Sequence, residues 1–153
     1  MIQLSDTNPS RLFIVGIRDT GLLAEERDLF KASPPGGVIL FRRNINDEQS
    51  LRKLLHELRA LVGPDGFLAV DQEGGAVDRL RELDGPRPSF EAVSAAGSGD
   101  PAATEAEART IGLRLKDLGF DTNFAPVVDR APATPGTGLE TRYKENIKGE
   151  IFQ

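Results

Sequence analysis

Two aspartates stand where acid–base or ligand chemistry could be carried. Asp71 directly follows the apolar run Phe67-Leu68-Ala69-Val70 and opens Asp71-Gln72-Glu73-Gly74-Gly75, and Asp129 closes Asn123-Phe124-Ala125-Pro126-Val127-Val128-Asp129. In parallel α/β folds the functional groups gather at the carboxyl ends of the strands, because the loops there carry what the rigid sheet positions. A carboxylate pair at that address would supply an acid and a base or nucleophile for cleaving a glycosidic bond. The same oxygens, together with Glu73, could instead hold Mg²⁺. The plainest reading leaves both aspartates as turn or capping residues. The Gly74-Gly75 pair either lets the backbone approach a ligand closely or closes a tight turn.

Arg79 and Arg81 follow in Ala76-Val77-Asp78-Arg79-Leu80-Arg81. A guanidinium fork there could clamp a hydroxyl or carboxylate. The competing reading pairs each with Asp78, Glu82 or Asp84 at the surface. His56, the one histidine, lies away from the leucine stripe of its helix and is expected to face solvent without a partner to make it a base. No GxGxxG, Walker loop or GxSxG is present, and Gly36-Gly37 precedes a strand where phosphate binding needs glycines between strand and helix. No cofactor and no metal centre is expected.

The elements that must position these groups are short. Leu12–Ile17, Gly37–Phe41 and Phe67–Val70 read as buried strands, and Asp121–Val128 as a fourth with Pro126 near its far end. Between them, Asp47–Val62 carries Leu51, Leu54, Leu55, Leu58 and Val62 at helical spacing. Pro101–Leu118 has Asp100 as N-cap, Pro101 at its first position and Gly119 past its end. A weaker helix covers Leu22–Lys31, and 74–99 reads mostly as loop. Alternating strands and helices build a parallel sheet with right-handed crossovers, so both a doubly wound sheet and a (β/α)8 barrel begin this way.

Composition sets the outer limits. With 153 residues and 39% hydrophobic content the chain can bury one core. Its net charge of -5 argues against nucleic acid and anionic membrane as partners. No apolar run approaches a membrane span, and the opening Met1–Ser10 lacks the order of a secretory signal, so the expected location is the cytoplasm. Zero cysteines exclude disulfides and thiolate metal sites.

Gly36-Gly37-Val38-Ile39-Leu40-Phe41 with Arg43-Asn44, then Ala69-Val70-Asp71-Gln72-Glu73-Gly74-Gly75 with Val77 and Arg79, then Leu118-Gly119-Phe120 and Asn123 to Asp129 resemble the N-terminal domain of family 3 glycoside hydrolases. The resemblance runs from about Leu12 to Asp129. It implies a TIM-like (β/α)8 barrel, of which this chain would hold about four strands. It also implies a carbohydrate substrate, β-linked, cleaved from its non-reducing end with retention through a covalent glycosyl-enzyme. The Asp71–Gly75 segment is most similar to that of bacterial β-N-acetylglucosaminidases that recycle cell-wall sugars. In that resemblance Asp71 and Arg79 bind sugar hydroxyls, and Arg142, in Gly138-Leu139-Glu140-Thr141-Arg142, is similar to a further sugar-binding arginine.

The resemblance also implies a nucleophilic aspartate on a later strand and an acid/base histidine after a Lys-His motif, and neither is in this chain. Residues 1–142 are therefore expected to form a partial barrel domain and 143–153 a divergent tail, as in a truncated or frame-shifted product. Such a fragment should be catalytically inactive. The alternative is a non-catalytic sugar-binding or partner-completing module.

Overall fold

The computed structural model describes residues 8–127. Its strands are β1 (Ile14–Gly16), β2 (Gly37–Leu40), β3 (Phe67–Val70) and β4 (Thr122–Asn123). The helices are α1 (Ala24–Ala32), α2 (Glu48–Val62), α3 (Arg81–Asp84), α4 (Phe90–Ala96) and α5 (Pro101–Leu118).

Local chemistry accounts for the two long helices. The Asp47 carboxylate accepts Ser50 N at 2.9 Å to start α2, and Gly63, at φ 76°, ends it. The stripe Leu51, Leu54, Leu55, Leu58 and Val62 is buried to 3% exposure or less. Burying each such side chain contributes about 1.5–3 kcal/mol, so this one face dominates the energetics of the helix. Asp100 accepts Ala102 N at 2.9 Å to open α5, and Gly119 closes it in the left-handed region. Both helices match their sequence reading to within one residue.

The strands pair in the order β1-β2-β3-β4, each parallel to its neighbour in sequence. A right-handed crossover that always advances the same way leaves every helix on one face, whereas a doubly wound sheet reverses direction at a switch point. The order therefore selects the opening four strands of a TIM-like barrel, with the sheet left open among the described residues. Val15, Val38 and Leu68 share one register row, Leu40 and Val70 another, and these side chains face the core beneath α2.

The opposite, inner face carries Ile14, Ile39 and Phe67, with Phe124 set edge-on to Phe67 at 6.5 Å and 89°. Leu12, Phe13 and Ile14 are exposed (84%, 61% and 48%), which corrects the expectation of a fully buried first strand. Leu12 belongs to a 3-10 turn, Pro9–Leu12, and β1 is an edge strand covered on its helix side only. β4 is also shorter than expected: its pairing ends at Asn123. The stretch 74–99 is less of a loop than its glycines suggest, since it contains α3 and α4.

Clasps at the amino ends of the strands hold the layers in register. Asp121 Oδ2 accepts Leu68 N at 2.7 Å and an Arg59 N–H, while Arg59 Nη1 donates to the carbonyls of Gly63 and Gly66. Arg11 donates to Val62 O at 2.5 Å and to Pro35 O. These bonds tie the end of α2 to the segments that lead into β1, β2, β3 and β4.

Candidate functional site

Strand β3 delivers Asp71 to the carboxyl end of the sheet, and the loop after it turns back to meet it. Glu73 N donates to Val77 O at 2.9 Å and Val77 N to Gly74 O at 3.1 Å, closing a short hairpin. Gly74 and Gly75 both have positive φ (80° and 59°). A Cβ on Gly74 would come within 2.1 Å of Pro88 O, and one on Gly75 within 3.0 Å of Ser89 Cβ. The glycine pair does form a tight turn, and it packs closely against residues 88 and 89 of the same chain.

The hairpin carries Arg79 back over Asp71, and its Nη2 donates to Asp71 Oδ2 at 3.1 Å. The two side chains are 19% and 17% exposed, so the pair is accessible yet shielded enough for its geometry to be held. Arg79 Nε is buried with no acceptor among the described residues. The expected surface pairing of Arg79 or Arg81 with Asp78 does not occur. Asp78 is buried and accepts instead from Gln72 Nε2 and from Arg87 N, each at 2.8 Å. Arg81 is exposed at the start of α3.

Beneath this pair lies Gln72, fully buried. Its Oε1 accepts both Arg79 N at 2.8 Å and Leu80 N at 3.0 Å. Its own backbone is gripped from β4: Gln72 N donates to Asn123 Oδ1 at 2.9 Å, and Asn123 Nδ2 donates to Gln72 O at 3.1 Å.

A third group enters from β2. The turn Arg42–Asn44 follows that strand, and buried Asn44 pins it by accepting Phe41 N at 2.9 Å and donating to Ile17 O and Asp19 O. Arg43 donates to Ile17 O through Nε and Nη2, and its guanidinium lies 4.7 Å from the centre of the Phe41 ring. Arg79 approaches the same ring at 5.9 Å. Arg43 and Phe41 escaped sequence reasoning as site residues, although they occupy after β2 the address that singled out Asp71 after β3. A carboxylate acceptor, two guanidinium donors and an aromatic ring together make a polar site suited to a neutral ligand rich in hydroxyls.

Asp129 and Arg142 lie outside the described residues. Among the described residues no three His, Asp or Glu side chains gather as metal ligands. His56 is exposed on α2, as expected. Displaced protonation equilibria lie in the helix layer: the Arg114 and Arg52 guanidinium groups hold the Glu48 carboxyl below its usual range, and Asp84 and then Glu48 raise Arg114.

Residues 11–146 match the model of the glycosyl hydrolase family 3 N-terminal domain. The chain belongs to this family. A β-hexosaminidase of Alkalilimnicola ehrlichii is 40% identical over 120 residues, covering 76% of this chain and 34% of that protein. The structure of a family 3 β-N-acetylglucosaminidase from Paenibacillus superposes with a TM-score of 0.71 at 32% identity, over 79% of this chain and 23% of that one. NagZ from Neisseria gonorrhoeae in complex with N-trifluoroacetyl-D-glucosamine gives 0.65 at 32% identity, over 76% and 36%. This family 3 chain thus spans about a third of the length of the curated relatives it matches. Among the described residues no helix is long and apolar enough to cross a membrane.

Proposed function

We propose that this chain forms the sugar-binding N-terminal part of a family 3 β-N-acetylhexosaminidase. In the complete enzyme, terminal β-linked N-acetylhexosamine would be hydrolysed with retention. Asp71 and Arg79 hold hydroxyls of that terminal sugar, and Arg142 adds a further contact. The observation that carries this reading is the Asp71–Arg79 pair at the carboxyl end of β3. It joins an acceptor and a donor that vicinal hydroxyls can bridge. The names of the relatives supply the sugar: two of the similar structures are an N-acetylglucosaminidase and a complex with an N-acylated glucosamine.

Cleavage needs a nucleophile and an acid/base beyond this pair. The one histidine, His56, is exposed on α2, so these 153 residues bind the sugar without breaking its bond. Titration of the chain with N-acetylglucosamine, followed by NMR, should perturb Asp71 and Arg79 saturably, and Asp71→Ala should remove the effect. A nitrophenyl β-N-acetylglucosaminide should release no nitrophenol. Absence of saturable binding would overturn the binding assignment, and release of nitrophenol would overturn the division of labour.

A further inference from the structure

We infer that Gln72 is the positioning residue of this site: its buried amide sets where Arg79 stands relative to Asp71. The inference rests on reading Asp71 and Arg79 as the sugar-binding pair, and it adds a residue whose role is to aim one of them.

The argument starts from cost. A primary amide at 0% exposure is expensive to bury unless its donors and acceptor are matched, and an apolar side chain of similar size would fill the space more cheaply. Here the amide is used on both sides. Oε1 takes the N–H groups of Arg79 and Leu80 together, which fixes the orientation of two successive peptide units. Those are the units from which the Arg79 side chain departs. Leu80, 1% exposed, is locked in the core on the far side. Nε2 donates to Asp78 Oδ1, and Asp78 Oδ2 takes Arg87 N, so the return limb of the loop is tied to the same amide.

Arg79 itself contributes little to its own placement. One bond to Asp71 and a loose approach to the Phe41 ring hold its tip, and its Nε has no acceptor among the described residues. An arginine has several rotatable bonds and resists being held from its tip alone. Its reach is therefore decided at the base, by Gln72. Asn123 extends the chain of control to β4, since its side-chain amide holds both backbone groups of Gln72.

The geometry allows a polarity reversal as the test. Gln72→Glu keeps acceptance of the two N–H groups but sets a second carboxylate against Asp78, where like charges repel. Asp78→Asn alone leaves two amides that cannot satisfy both Gln72 Nε2 and Arg87 N without one mismatch. Combined, the carboxylate introduced at position 72 can accept Arg79 N, Leu80 N and the new amide N–H at position 78, while the carbonyl of that amide accepts Arg87 N, so all four bonds return.

Two readouts are taken on the full chain: the Arg79 side-chain Nε–H resonance without sugar, and the affinity of the folded fraction for N-acetylglucosamine. Each single variant should shift the resonance and weaken binding roughly tenfold, and the double variant should restore both to within about twofold of the parent. Singles that lower only the melting temperature, with resonance and affinity unchanged, would reduce Gln72 to a structural residue and sink the inference. Where a single variant does not fold, the double decides: a native Arg79 resonance supports positioning, whereas a shifted resonance or a failure to fold with every bond replaced refutes it. If the parent binds no sugar while the resonance pattern holds, the sugar assignment falls and the positioning role stands.

Discussion

Replacing Asn123 by alanine removes the grip of β4 on Gln72. Two bonds are lost, at 2.9 and 3.1 Å, and the Gln72 N–H and C=O they served belong to a residue at 0% exposure. A neutral hydrogen bond is worth about 1 kcal/mol net, and a buried group left without a partner costs about 1–3 kcal/mol. Asn123 is itself only half-buried, so water can enter where its amide stood and recover part of the loss. The structure therefore predicts a destabilisation of about 2 kcal/mol for Asn123→Ala, which equals the plain loss of two bonds and sits at the low end of the cost of two orphaned groups. Urea denaturation reports this as a lower midpoint at unchanged slope. Hydrogen exchange adds the local signature: the Gln72 amide should lose protection while Leu55 and Leu58 amides in α2 keep theirs relative to global unfolding. A change below about 0.5 kcal/mol with Gln72 protection intact would refute the reasoning, because the reciprocal amide clasp would then not be holding the strand end.

Two further outcomes can be checked on the same material. The Glu48 carboxyl is held below its ordinary value of 4.5 chiefly by its hydrogen bond to Arg114, then by Arg52. The unfolded chain therefore binds more protons in acid, so this contribution is present above about pH 4.5 and is lost as pH falls through the folded value. Glu48→Gln should accordingly flatten the acid limb of a melting-temperature profile. Gly85 has φ 80° but open space around its Cα, so Gly85→Ala should cost only the backbone strain, about 1–3 kcal/mol. Gly74→Ala adds a collision with Pro88 O and should be clearly worse by urea denaturation, and equal costs would remove the packing role of that glycine.

Legibility in the sequence followed how local each determinant was. The limits of α5 could be read from Asp100, Pro101 and Gly119, because capping is a matter of three or four adjacent residues, and α2 could be placed by its leucine stripe. The strands could be placed by their apolar runs, but not their exposure: nothing in Leu12-Phe13-Ile14 tells an edge strand from a central one, since that depends on which elements lie alongside. Asp71 and Arg79 were legible from their position after β3 and from family resemblance. Arg43 and Phe41 were within reach of the same strand-end rule. Gln72 was not, because an isolated glutamine carries no signal until β4, far along the chain, brings Asn123 against it. The burial of Asp78 was missed for a related reason: a lone aspartate beside two arginines reads as their ion-pair partner, whereas its true partners are an amide and a backbone N–H.

The consecutive strand order has a kinetic consequence. β2 joins β1, β3 joins β2 and β4 joins β3 across separations of roughly 20, 30 and 50 residues. Because loop-closure entropy grows only logarithmically with length, the last closure costs less than about 1 kcal/mol more than the first. Each new strand also needs only an edge that has already formed. The sheet can therefore be laid down in the direction of synthesis, with β1–β3 and α2 providing a template before Asn123 has left the ribosome. Of the features discussed, the backbone of Gln72 would then be the last to be locked, and the site would be set only after its scaffold had assembled.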